Sequence, residues 1–274
     1  MRWGLDDVTV RLGGRVAIIG VTLPVEPASV TVVVGGDGAG KSTCLRALVG
    51  LVGVEEGSVR RPSKSKIGYV PATAGLYADL TVDENVAFSA TAYGLSGAEL
   101  KGRAGRILGL VGLDGVRDRL GGQLSGGMQR KLAVGMALVH SPELLVLDEP
   151  TTGVDPVSRA ELWRLISRAG AEGTAVVVAT TYVNEAARGS AAMLLEEGRV
   201  LISGAPEGIV GEVPGTLGRV RGVSQPTAMS WRRGADWRVW APTGDLPPGV
   251  TRVDPDLEDA AVIAALASEM AVSS

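Results

Sequence analysis

The chain has 274 residues, 45% of them apolar, and a positive mean hydropathy, which fits a folded protein with one large domain, or a large and a small one, and excludes a disordered chain. A formal net charge of −3 lacks the basic excess of nucleic-acid binders, and one cysteine excludes an internal disulfide, as suits a reducing compartment. Met1–Val10 carries charges where a signal peptide needs an apolar run, and no apolar stretch reaches membrane-spanning length, so we expect a soluble chain that meets any membrane through a partner.

In chain order, Leu5–Val10 and Val16–Leu23 read as strands joined by a Gly13–Gly14 turn. Val30–Val34 is a β-branched run that ends in a glycine loop, and Thr43–Val49 then has helical composition. Ile67–Val70 reads as a short strand. From Thr81 to about Val139 the pattern turns helical, with loop signals at Gly94–Gly97 and Asp114–Gly115. Buried-type strands return at Leu144–Leu147 and Ala175–Ala179 around a helical stretch, Val157–Ala169. Met193–Glu196 and Arg199–Ser203 flank Glu197–Gly198 as a second hairpin. This order predicts an α/β core with a parallel sheet, an N-terminal antiparallel β part and a helical insertion at about residues 79–139.

After Gly211 glycine and proline become frequent, and Trp231, Trp237 and Trp240 follow. We expect a domain of residues 1–211 and a small α+β extension at residues 212–274, whose last helix has Asp254 as its cap and Pro255 in its first turn. On a strand Trp237 and Val239 share one face and Arg238 and Trp240 the other, so the rings serve a small core rather than one nucleic-acid ligand. Cys44 reads as a small core residue, and His140 as a surface or helix-end residue rather than a catalytic one.

Three segments carry chemistry. Gly35–Thr43, GGDGAGKST, fits the phosphate-loop pattern between a strand and a helix. In that pattern backbone N–H groups cradle anionic oxygens, Lys41 reaches the terminal phosphates and the Ser42 hydroxyl ligates Mg²⁺. Leu144–Pro150, LLVLDEP, is a buried strand ending in the carboxylates Asp148 and Glu149, and such a strand end can hold Mg²⁺, usually through water. Leu124–Lys131, LSGGMQRK, places Ser125, Gly126 and Gly127 at a helix N-terminus, an anion-binding feature.

Together and in this order, the three segments resemble the ATP-binding subunit of an ABC transporter, from about Leu5 to about Ile209. The resemblance implies a P-loop ATPase core binding ATP and Mg²⁺, with Gly35, Gly36, Asp37, Gly38, Ala39, Gly40, Lys41, Ser42 and Thr43 around the phosphates. Ser42 and Asp148 would hold the metal, and Glu149 would polarise the attacking water. It also implies that Ser125, Gly126, Gly127 and Gln129 face the ATP of an opposite subunit, in a homodimer or a heterodimer with a second ATP-binding chain. A groove beside Ala72–Asp79 would receive a membrane-spanning permease, placing the chain in the cytoplasm at the inner face of the cell membrane, without nucleic-acid partners.

The sequence departs from the family at several positions. Asp37 replaces the usual Asn; Leu12 falls near the place of the ring that stacks on adenine; Ala72 replaces the expected glutamine; and Thr181 replaces the switch histidine. Leucine packs without stacking, alanine offers no side-chain oxygen, and threonine carries no positive charge. We therefore expect this chain's own half-site to bind ATP and hydrolyse it slowly. Two alternatives are an ATP-binding regulatory subunit with little turnover, and a soluble ABC ATPase acting on ribosomes or DNA.

Overall fold

Unbroken apolar runs are what strands need when both faces of their sheet are covered. The computed structural model, which describes residues 3–73, 75–221, 227 and 229–273, contains such a sheet. Met1, Ala74 and Ser274 lie outside the described residues, as do residues 2, 222–226 and 228 in the N-terminal segment and C-terminal extension.

β1 (Trp3–Leu12) and β2 (Arg15–Val25) pair antiparallel across the Gly13–Gly14 turn, where both glycines have positive φ. β3 (Ser29–Val34) runs into the glycine loop and α1 (Lys41–Val49). β4 (Glu56–Arg60) then pairs with β1, giving an antiparallel sheet ordered β2-β1-β4. Nothing in the sequence marks β4, because its residues are largely exposed and show no apolar alternation.

β5 (Ile67–Val70) precedes the helical insertion of α2 (Val82–Ala92), α3 (Gly97–Val111) and α4 (Gly126–Leu138). Thr81 and Glu84 cap α2 reciprocally, and the Ser125 hydroxyl accepts the Met128 N–H to start α4. β6 (Leu144–Asp148), α5 (Pro156–Ala171) and β7 (Ala175–Thr180) follow; Asp155 caps α5, with Pro156 in its first turn. Then come α6 (Val183–Ala186), the hairpin of β8 (Ala191–Glu196) and β9 (Arg199–Gly204), and α7 (Pro206–Gly211).

The central sheet is ordered β5-β6-β7-β3-β8-β9, parallel throughout except for β9. Its side chains alternate between two cores. Val32, Val34, Leu145, Leu147, Val176 and Val178 face the helices of the insertion and α5. Val33, Leu144, Val146, Val177 and Ala179 face α1 and the β1–β2 hairpin. This is a P-loop α/β fold. Its register sets Val34 beside Thr180 and Asp148 beside Ala179, so the loops after β3, β6 and β7 emerge together at one sheet edge.

Beyond α7, β10 (Thr216–Arg221), β11 (Ser230–Arg233), β12 (Asp236–Ala241) and β13 (Thr251–Arg252) form an antiparallel sheet ordered β11-β12-β10-β13. Trp240 is buried with Leu217 and with Ile263 of α8 (Leu257–Ser273), and Trp231 packs on the same cluster. The start of α8 corrects the expected cap: the helix begins at Leu257, and Asp256, not Asp254, caps it, with Pro255 lying outside. Asp256 Oδ1 accepts the Asp259 N–H while Asp259 Oδ2 accepts the Asp256 N–H. The fully buried Asp259 carboxylate, held by Arg233 at 3.1 Å and Arg238 at 3.3 Å, fixes that start. Leu257 and Ala261 lie against Val183, Leu194, Ile202 and Ile209, so α8 also covers an apolar face of the core.

His140 lies at a helix end, as expected, but not at the surface. It follows α4 but is buried, its ring stacked on Tyr93 at 3.5 Å, with Nε2 donating to the Ile67 carbonyl oxygen at 3.2 Å. Nδ1 is buried without a partner, so protonating it would place an N–H where nothing accepts it. Burial pushes the imidazole down to about 4, against the Ile67 bond and with help from the charges of Lys66 and Arg103. A histidine depressed in the fold favours the native state above its unfolded value, near 6.5, and that contribution is lost as pH falls from there toward 4. His140→Gln is therefore expected to flatten the decline of Tm between pH 6.5 and 4, read by thermal melts across that range.

Candidate functional site

At the sheet edge where the three loops emerge lies an open cavity of about 920 Å³, a size suited to a small-molecule ligand. The glycine loop forms one wall. Gly40 has φ 102°, and a Cβ there would meet Ile18 Cγ2 at 2.7 Å and the Ala17 oxygen at 2.8 Å, so only glycine fits. The buried Lys41 ammonium donates to the carbonyl oxygens of Gly35 at 2.8 Å and Gly36 at 3.0 Å. It also lies 3.1 Å from Glu149 Oε1. Three oxygens around one buried ammonium satisfy its donors.

Ser42 Oγ donates to Asp148 Oδ1 at 3.1 Å, joining the start of α1 to the end of β6. Asp148 is fully buried, and its Oδ2 has no hydrogen-bond partner. Burial raises this carboxyl above the usual carboxylate range, against the Ser42 bond, and the neighbouring Glu149 charge raises it further. An orphaned carboxylate oxygen beside a hydroxyl fits Mg²⁺, a hard cation that takes oxygen ligands and keeps waters. Among the described residues no three His, Cys, Asp or Glu side chains converge, so the remaining ligands would be phosphate and water oxygens.

Glu149 has φ 52°, a left-handed conformation uncommon for a residue with a Cβ and costing on the order of 1 kcal/mol or more. Its N–H donates to the Ala179 oxygen at 3.0 Å, and Thr152 Oγ1 donates to its Oε2 at 2.5 Å. The carboxylate is thus aimed into the cavity from a fixed backbone. Asp37 lines the cavity from the glycine loop.

The family departures fall unevenly. Ala72 and Thr181 do line the cavity, but Leu12 is exposed at the end of β1, and Val16 and Ala17 form the wall at that end of the hairpin. Ser125 and Gly126 are exposed at the tip of α4, away from the cavity lining. Gln129 points back into its own chain, Nε2 donating to the Gly121 oxygen at 3.2 Å. Cys44 is fully buried, and burial pushes its thiol up to about 12, which leaves it an inert core residue.

Sequence reading missed two residues. Glu185, buried on α6, accepts Thr180 Oγ1 at 2.8 Å and Thr151 Oγ1 at 3.0 Å, tying the loop after β7 to the loop after β6. The signal was weak: one glutamate five residues past a strand looks like any surface acid. Arg130, just after the serine–glycine turn, reaches the cavity from α4.

The comparisons with known proteins agree with this geometry. The family model described as ABC transporter matches residues 18–152. The chain is 35% identical over 230 residues to the "Probable multidrug ABC transporter ATP-binding protein YbhF" of Escherichia coli (strain K12), a match covering 77% of this chain and 40% of that protein. It therefore spans less than half of that relative's length. It is 32% identical over 216 residues to the "Nod factor export ATP-binding protein I" of Paraburkholderia xenovorans (strain LB400), covering 75% of this chain and 71% of that one. Among solved structures, an "ATP binding subunit of ABC transporter" superposes with TM-score 0.70 at 26% identity, over 77% of this chain and 93% of that one. The ATP-binding cassette MJ0796, solved as a dimer bound to ADP and Pi, superposes with TM-score 0.67 at 28% identity, over 75% of this chain and 98% of the cassette.

The site thus belongs to an ATP-binding protein of the P-loop class. The chain is a member of the ABC transporter family, as an ATP-binding subunit.

Replacing Glu185 by alanine would take the acceptor from the buried Thr151 and Thr180 hydroxyls and remove the carboxylate 4.0 Å from Arg159. We expect Glu185→Ala to destabilise the fold by about 3 kcal/mol, measured by urea unfolding.

Proposed function

We propose that the chain binds and hydrolyses ATP as one of two facing ATP-binding subunits that drive a membrane-spanning permease. The observation that carries this reading is the convergence of Lys41, Ser42, Asp148 and Glu149 at the C-terminal edge of the parallel sheet. Lys41 and the glycine-loop amides hold the phosphates, and Ser42 and Asp148 hold Mg²⁺. The metal, when bound, neutralises charge developing on the phosphates. Glu149, oriented by Thr152, accepts a proton from the attacking water.

Ser125 and Gly126 lie exposed at a helix N-terminus, so the anion they suit belongs to a second chain. ATP then lies between two subunits and closes them, and hydrolysis or release reopens the pair. The dimeric cassette bound to ADP and Pi supports this arrangement. The permease would dock beside Ala72–Asp79, where Tyr77 and Phe88 form a half-exposed edge-to-face pair with ring centroids 4.7 Å apart. The export named for the Paraburkholderia relative favours outward transport.

Ala72 and Thr181 in the cavity lining favour slow turnover in this chain's own half-site, because neither brings a charge or an amide to the developing transition state. The same pair favours the second reading, a regulatory subunit that binds ATP with little hydrolysis. Steady turnover that disappears in Glu149→Gln would decide against that second reading.

One outcome is expected from the purified chain. Restoring both side chains in the double variant Ala72→Gln, Thr181→His raises kcat by at least about 10-fold in a phosphate-release assay. Brisk hydrolysis by the unaltered protein, abolished in Lys41→Ala, would overturn the slow-site reading. Separately, Phe88→Asp is expected to lose permease co-purification from native membranes while ATP binding stays within about twofold; retained co-purification would move the docking site elsewhere.

A further inference from the structure

Gln129, Arg130 and Lys131 follow one another on α4, and the turn of the helix sends them to different partners. Gln129 bonds the Gly121 oxygen, and Lys131 lies 2.9 Å from Glu161. Arg130 turns toward the ATP cavity. Its Nη2 donates to the Ala72 oxygen at 2.6 Å, and its Nη1 donates to the oxygens of Thr73 at 3.1 Å and Pro71 at 3.4 Å. One guanidinium therefore gathers three successive carbonyls where the side chain at 72 offers nothing polar.

The same guanidinium lines the cavity with Lys41, Ser42, Glu149 and Thr181. Lys41 and Arg130 are the basic residues of that lining among the described residues, against Asp37, Glu149 and Glu197. Burial is the largest influence on Arg130 and disfavours its charge, against the attraction of Asp148 and Glu149. A triphosphate with its metal still brings net negative charge into a wall whose acids outnumber its bases. Lys41 is one cation for the phosphates and Thr181 carries no charge, so Arg130 is the second cation of the wall, with a planar fork suited to phosphate oxygens.

We propose that Arg130 is a further nucleotide-binding residue, which bonds the terminal phosphate of ATP and makes the position of residues 71–73 depend on whether that phosphate is present. The proposal rests on the cavity being the ATP site. Because Arg130 stands five residues along the helix that Ser125 caps, the phosphate in this chain's own half-site is linked through α4 to the turn offered to the facing chain. A purely structural clamp on residues 71–73 would treat ATP and ADP alike; a phosphate ligand would not.

The test is titration calorimetry of the full chain with Mg²⁺, using ADP and a non-hydrolysable β,γ-imido analogue of ATP. Arg130→Ala is expected to weaken the triphosphate about 10-fold while ADP stays within about twofold. Arg130→Lys, which keeps the charge and loses the fork, falls between the two proteins. Should Arg130→Ala fail to fold by thermal melt, Arg130→Lys and Arg130→Gln give the same comparison of charge kept with charge removed. Equal loss for both nucleotides, or no loss for either, overturns the proposal. Lys41→Ala separates the underlying reading: if it binds both nucleotides as the unaltered chain does, the cavity is not the ATP site.

Discussion

Much of this structure depends on holding one ammonium group out of water. Lys41 is buried, and an unpaired buried charge is among the costliest features a fold can carry. The chain offsets that cost with two carbonyl oxygens from the glycine loop and a carboxylate from the loop after β6. Those oxygens come from segments more than a hundred residues apart in sequence. They meet because β3, β7 and β6 lie side by side in parallel register and release their following loops at the same edge. Sheet order, strand register and the left-handed backbone of Glu149 all serve that one coordination.

A second layer of contacts keeps the loops in step. Glu185 joins the segments at Thr151 and Thr180, while Arg130 holds the segment that follows β5. The bonds to Thr151 and Ala72 cross between segments 34 and 58 residues apart, which the sequence does not mark as neighbours. The loops that line the cavity thus share supports.

The legible parts of the sequence were those in which one local rule decides the outcome. The central strands were readable because Val30–Val34, Leu144–Leu147 and Ala175–Ala179 are buried on both faces and therefore apolar at every step. The phosphate loop was readable because glycine conformation and the position of Lys41 are fixed by the same turn. β4 was not, since a polar, exposed edge strand is held by backbone pairing alone. Nor was the α8 cap: three aspartates stand within six residues, and the choice of Asp256 depends on Arg233 and Arg238 gripping Asp259 from another part of the chain. His140 was legible as a helix-end residue but not as a buried one, because its partner Tyr93 lies on a distant segment. Nor was the cavity wall at Val16 and Ala17 legible, since it needs the hairpin to fold beside a glycine loop some twenty residues further along the chain.

The seating of α8 has a mechanical implication. Ala260 is buried in the core cluster that also holds Val34, at the root of the glycine loop, and Leu257 packs against that cluster. Peeling the helix away would wet that apolar seam, so α8, which also packs on the terminal sheet through Ile263, anchors that sheet to the one that carries the glycine loop.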